Sequence, residues 1–178
     1  MPKSTLIETE RLLLRPPRQN DAAAIFERYA SDPEVTRYLG WPRHESVQDT
    51  RAFVGFSVAE WARWGVGPVV VIDRESGTLL GSSGLVMESA DRAATGYVFA
   101  RDAWGKGYAT ESLRAMIALA AEFKVVRLYA LCHVDHQASW HVLEKCGFKR
   151  EGVLPHHSVF PNLSSEPLDV LSYARSPV

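Results

Sequence analysis

Two glycines flank a lysine at Gly105-Lys106-Gly107, and Tyr108, Ala109 and Thr110 follow directly. No other stretch of the chain is better placed to do chemistry. Without a Cβ, glycine lets the backbone turn tightly and bring N–H groups within hydrogen-bond distance of a bulky anion. Lys106 adds a positive charge. The residues before the turn alternate, with Tyr97 and Phe99 on one side and Gly96, Val98 and Ala100 on the other, which predicts a strand. Those after it keep Ala109, Leu113, Met116, Ile117, Ala120 and Phe123 on one face, which predicts a helix with a core-facing side. Strand, glycine turn and helix start collect free amides at the positive end of a helix dipole, a place for a phosphate or pyrophosphate. A bare Gly-x-Gly also describes an ordinary strand-to-helix turn with a solvated lysine. The stretch is no Walker loop, since no Gly-Lys-Ser/Thr follows four free positions, and the third glycine of a dinucleotide fingerprint is missing.

The rest of the chain must position that turn. Arg11 to Arg15 reads as a first strand stopped by Pro16-Pro17, and Asn20 or Asp21 is placed to cap a helix to about Tyr29. Asp32-Pro33-Glu34 starts a second short helix, with proline in the first turn. Ser46 to Asp49 resembles a capping box for a helix running to about Trp64, closed by Gly65 and Gly67. Pro68–Asp73 and Thr78–Val86 read as strands of a hairpin turned at Arg74 to Gly77. Val126–Cys132 is another strand, about Ala138 to Lys145 a helix, and His157 to Phe160 and Leu168 to Ala174 the last two strands. This order predicts one mixed α/β layer (α+β in the broader sense) with helices packed on it, as one domain over residues 1–178.

Composition narrows the function classes. Length suits one domain with a sizeable core. A formal net charge of -1 gives no bulk field toward nucleic acid or an anionic membrane, and no Lys/Arg run supplies a local one. No apolar stretch approaches membrane-spanning length, and the N-terminus lacks a signal-peptide core. Cys132 and Cys146 form no disulfide framework or CxxC pair, so a reduced, cytoplasmic protein is expected. Both read as small buried apolar residues.

In sequence the chain resembles the GNAT N-acetyltransferases, and within them the ribosomal-protein-alanine branch. Glu8 to Arg15 looks like that branch's opening strand, and Asp32 to Trp41 like its following helix and loop. Gly96-Tyr97 with Trp104 to Glu111 looks like its coenzyme A loop. Ala138-Ser139 with Val142 to Phe148 looks like its second motif. The resemblance implies the acyl-CoA N-acyltransferase fold: a mixed, mostly antiparallel sheet splayed between its fourth and fifth strands, with helices on both faces. Pantetheine would enter the splay and pair with backbone groups near Val98 and Phe99, and the pyrophosphate would rest on the amides of Gly105, Lys106, Gly107, Tyr108, Ala109 and Thr110. The implied reaction is direct acetyl transfer from acetyl-CoA to a primary amine, with no metal and no covalent enzyme intermediate. A protein N-terminal amine is one acceptor. The alternatives are a small amine such as an antibiotic or a polyamine, or a coenzyme-binding sensor without catalysis. The implied partners are the amine substrate and, as an open option, a second copy of the chain in a homodimer.

Departures from the family pattern bear on the chemistry. Leu143 stands where many members place a tyrosine acid, which turns attention to Ser139 as proton donor to the leaving thiolate; a serine near a helix start also serves as a cap. His136 stands where the branch commonly has asparagine, and reads either as a base or as an altered coenzyme contact. Ser139 and His136 are therefore the catalytic candidates, and both also touch the coenzyme in this reading. Thr95 occupies a position where several relatives carry a glutamate. The remaining candidate bases are Glu88, Asp91, His133, Asp135 and His44. Trp41, His44 and Glu88 are the candidates for the amine pocket, with Trp61 an aromatic that could equally be core. Asp169 resembles a structural residue of the family.

Overall fold

The computed structural model describes residues 6–177. In chain order the strands are β1 (Ile7–Glu8), β2 (Leu12–Arg15), β3 (Pro68–Asp73), β4 (Leu79–Met87), β5 (Arg92–Phe99), β6 (Arg127–His133), β7 (Lys149–Val159) and β8 (Pro167–Arg175). The helices are α1 (Ala22–Ile25), α2 (Pro33–Thr36), α3 (Val47–Trp64), α4 (Tyr108–Glu122) and α5 (Gln137–Lys145). The strands form one sheet in the order β1-β2-β3-β4-β5-β6-β8-β7. Every neighbouring pair is antiparallel except β5 and β6.

Strand β3 shows why helices must cover both faces. Side chains alternate along a strand, so Val69 and Val71 enter one core with Leu113 and Met116 of α4 and Leu143 of α5. Val70 enters the other, with Ile25 of α1, Val35 of α2 and Val54 of α3. Burying one such aliphatic side chain is worth roughly 1.5–3 kcal/mol. Helix α3 begins at the expected capping box, where the Asp49 carboxylate accepts from Ser46 N–H at 3.0 Å, and ends at Gly65 with φ +71°.

The feature that positions the site is where β5 and β6 part. They pair at Arg92↔Arg127, Ala93↔Leu128 and Ala94↔Tyr129, and there the pairing ends. Beyond that point β5 stays with β4 as far as Phe99, and β6 stays with β8 as far as His133. A wedge-shaped gap opens between them. These are the fourth and fifth strands of the sequence reading, renumbered because the unforeseen β1 pairs ahead of β2.

Three local expectations are corrected. The segment expected as one helix to Tyr29 is a 3-10 turn at Gln19–Asp21, one turn of α1, and a π turn at Phe26–Ala30. Both the N–H and the hydroxyl of Ser31 bond the Phe26 carbonyl, which widens the turn, and the fully buried Tyr29 is hydrogen-bonded to Ser82 of β4. Asp21 does not cap α1 from its own position; its carboxylate, paired with Arg15 at 2.7 and 2.8 Å, reaches back instead to accept from Arg18 N–H at 2.7 Å, where it caps the 3-10 turn. Strand β7 starts at Lys149 instead of near His157. Pro155 sits inside it at a register shift between Leu154 and Ser158, which an edge strand tolerates because its outer N–H groups need no partner.

Candidate active site

The turn before α4 is open. Trp104 N–H donates to the Arg101 carbonyl and Glu111 N–H to that of Gly107, while the amides of Gly105 to Thr110 lie before the first intrahelical bond. Gly105 and Gly107 have φ of +72° and +80°, a region that side-chain-bearing residues rarely adopt. A Cβ on Gly105 would meet nothing within 4 Å, and one on Gly107 would meet only Arg11 Nη2, at 3.4 Å. The open surface continues as a groove of about 620 Å³ lined by Glu10, Arg11, Gly107, Thr110, Glu111, Arg114 and Lys145. With Arg11 paired to Glu111, it is Arg114, Lys145 and the helix N-terminus that favour an anion there. Arg11 also locks the turn. Its guanidinium donates to the Lys106 carbonyl at 2.8 Å and to Glu111 Oε2 at 2.7 Å, and lies over the Tyr108 ring. Burial alone would raise the Glu111 carboxyl, but bonds from Thr9 and from the Arg11 main chain and guanidinium hold it below its ordinary range.

Main-chain direction follows from the β4–β5 register. Ala100 N–H donates to the Leu80 carbonyl, so by alternation Val98 also turns its main-chain groups toward β4, opposite Ser82. Tyr97 and Phe99 turn theirs toward the gap. The Phe99 carbonyl accepts from Trp104 Nε1 at 2.8 Å, which leaves its N–H facing the wedge. Phe99 therefore meets the main-chain condition set for a pantetheine contact, and Val98 contributes its side chain to the cleft.

Helix α5 closes the other wall. His136 is its N-cap residue and Ser139 lies in its first turn, so the capping position is not occupied by Ser139. The Tyr97 hydroxyl donates to the Ser139 carbonyl at 2.6 Å and lies 3.3 Å from Ser139 Oγ. Burial pushes the Tyr97 phenol well above its ordinary range, so it stays protonated. His136 stacks on Tyr38 with ring centroids 4.9 Å apart. Burial first, and His133 second, push the His136 imidazole down to about 4. It is neutral near pH 7 and a poor acceptor of a proton from an alkylammonium, but a sound hydrogen-bond acceptor.

One cleft of about 690 Å³ brings together Val98, His136 and Ser139 with Trp41 and His44. His44 Nδ1 lies 2.8 Å from Thr50 Oγ1, and its ring lies 4.9 Å from that of Trp41. Glu88 is not part of this cleft. It sits past the closed end of the strand pair, ion-paired with Arg92 at 2.7 Å and accepting from the Tyr129 hydroxyl. Asp91 is held in the same turn by Ser89, and the exposed Asp135 lies in a separate groove beside His133. Thr95 donates to the Gly84 carbonyl at 2.8 Å. Trp61 donates to the Pro68 carbonyl and packs on the core, and Asp169 accepts from His156 N–H. Both cysteines are buried, with the Cys132 thiol pushed up to about 11 by burial.

Residues 11–149 match the family model described as an acetyltransferase (GNAT) domain. The chain belongs to the GNAT family. YoaA of Bacillus subtilis, named as an uncharacterized N-acetyltransferase, is 31% identical to this GNAT chain over 157 residues, 84% of this chain and 85% of YoaA. A GNAT-family acetyltransferase of Bacillus anthracis superposes with a TM-score of 0.84 at 28% identity, covering 97% of this chain and 98% of its own. RimL, a ribosomal-protein α-N-acetyltransferase solved with coenzyme A, superposes at 0.86 and 22% identity, over 96% and 97% of the two chains, which is a likeness of fold. The GNAT chain is thus an N-acetyltransferase, and its splayed sheet is the family's.

Sequence reasoning missed three features of this GNAT site. Arg11 and Glu111, 100 residues apart in the chain, build the turn together, Tyr97 reaches Ser139, and the Tyr38 ring packs against both His133 and His136. The Gly96-Tyr97 dipeptide was the one local signal for any of them.

The depressed His136 imidazole has a consequence for stability. Unfolded, a histidine binds its proton near pH 6.5; folded, this one binds it near 4. The unfolded chain therefore holds more protons between those values. The stability His136 contributes is full above pH 6.5 and is lost as the pH falls toward 4, by up to about 3 kcal/mol. Urea denaturation at pH 7 and 4.5 should show a steeper loss for the wild type than for His136→Asn. Parallel losses would remove His136 from the account.

Proposed function

We propose that this GNAT enzyme transfers the acetyl group of acetyl-CoA directly to a primary amine held in the cleft between β5 and β6. The observation that carries this reading is the wedge between those strands, one wall of which leads to the row of free amides at Gly105 to Thr110. Those amides, with Arg114 and Lys145 beside them, suit the coenzyme's diphosphate. The thioester end then lies against Phe99 N–H, which serves as donor to the developing oxyanion. The amine nitrogen bonds the carbonyl carbon, the carbon–sulfur bond breaks, the thiolate takes a proton, and the ammonium proton leaves to water.

Ser139 supplies the proton to sulfur. Its hydroxyl lies in the cleft with Tyr97 as neighbour, and that phenol's own proton is engaged by the Ser139 carbonyl. His136 orients the incoming amine by accepting a hydrogen bond from it. No strong base is required for an acceptor near an α-amine's ordinary pKa of about 8, because an appreciable fraction is already neutral. A protein N-terminal amine and a small-molecule amine share this chemistry. A polyamine is disfavoured because Glu88, Asp91 and Asp135 do not converge on the cleft. We take residues 1–178 to be one such domain and the cytoplasm to be its compartment. Among the described residues no helix is long and apolar enough to cross a membrane.

The test is thiol release from acetyl-CoA over a panel of amines, with Ser139→Ala alongside. The variant should lose about 100-fold in kcat, the usual scale for a general acid, with the Kd for coenzyme A within about twofold by calorimetry. Equal losses in both would make Ser139 a coenzyme contact. Coenzyme binding without turnover on any amine would overturn the transferase reading.

A further inference from the structure

The outer limb of the cleft, on the side away from α4, has a chemical character of its own. Phe56 of α3, Val86 of β4 and Leu131 of β6 line it while 49%, 40% and 38% exposed. Large apolar side chains left open in a concave surface are a binding feature more than a folding one. Further in, Trp41 packs beside His44, and Tyr38 beside His136. Asp49 is the sole carboxylate among the lining residues described. Its Oδ2 already accepts from Glu45 and Ser46 N–H as the cap of α3. Burial lowers both lining imidazoles, so neither adds charge near neutral pH.

Such a lining has little to offer a polycation, whose ammonium groups need carboxylates. An extended peptide would need main-chain partners; in this reading pantetheine takes the free edge of β5, and only the short edge of β6 past Tyr129 is left. The lining suits a flat or aliphatic group held between rings.

We infer that the acceptor is a compact monoamine carried on a neutral aromatic group, with the ring taken up between Trp41, Tyr38 and the open side chain of Phe56. This rests on the acetyl-transfer reading and specifies its acceptor class.

The experiment compares kcat/KM for 2-phenylethylamine, n-butylamine, spermidine and an alanine-led tetrapeptide, each with acetyl-CoA and the full chain. 2-Phenylethylamine should exceed each of the others by about tenfold or more, the discrimination expected of a hydrophobic pocket. Phe56→Ala and Trp41→Ala should each narrow its lead over n-butylamine to about threefold, with the Kd for coenzyme A unchanged. Phe56 stands on the surface of α3, so its variant remains informative if loss of Trp41 disturbs folding. Spermidine or the tetrapeptide matching 2-phenylethylamine would overturn the acceptor class while leaving acetyl transfer intact. Acetylation of none of the four by a chain that still binds coenzyme A would overturn both.

Discussion

Replacing Gly107 by glutamate is expected to raise the Kd for coenzyme A by about 100-fold while the protein stays folded. Three effects add. Gly107 has φ +80°, where any other residue is strained by about 1 kcal/mol or more, so the unliganded turn would relax out of the binding shape and the coenzyme would have to restore it. The new carboxylate would stand at the anion site and repel the diphosphate. It would also lie beside Arg11 Nη2, 3.4 Å from the built Cβ, and compete with the Lys106 carbonyl for that guanidinium. Together these reach about 3 kcal/mol, or roughly a hundredfold in affinity. Isothermal titration calorimetry measures it directly. Gly107→Ala separates strain from charge and should lose only about tenfold. Unchanged affinity in the glutamate variant would move the diphosphate off this turn.

Gly81→Ala is expected to cost more than about 3 kcal/mol in stability, read as a shift of the urea midpoint, and to abolish acetyl transfer. Gly81 faces Phe99 in the β4–β5 register, and a Cβ there would lie 2.1 Å from the Val98 carbonyl oxygen and 2.9 Å from Phe99 Cα. Both atoms are backbone and cannot rotate away. One of the two strands must move, and past Ala94 nothing pairs with β5 on its β6 side. The displacement would fall on the segment that carries Phe99, whose N–H is the oxyanion donor in the proposed reaction. A variant that melts like the wild type would show that the two strands can part without cost.

Much of the fold was legible because its signals are local. A helix needs only its apolar period and a cap, both within a few residues, and so α3, α4 and the glycine turn before α4 could be read from Ser46, Asp49, Gly105 and Gly107. The extent of β7 was hidden because Pro155 reads as a break unless the strand is known to be at the sheet's edge. The π turn at Phe26–Ala30 was hidden because its cause lies partly in Tyr29 reaching Ser82, which is 53 residues away.

The candidate site divides in the same way. Residue types and spacing pointed to the glycine turn before α4, because its neighbours specify a strand end and a helix start, while Ser139 and His136 were picked out by the family resemblance. The splay of β5 from β6 was implied by the family resemblance, but the residue at which it begins, the contact of Tyr97 with Ser139 and the bracing of the turn by Arg11 came only with the tertiary structure. So did the exclusion of Glu88 from the cleft. Each depends on strand order and register, set by pairing between distant segments such as Leu12 with Asp73, and no run of neighbouring side chains encodes that.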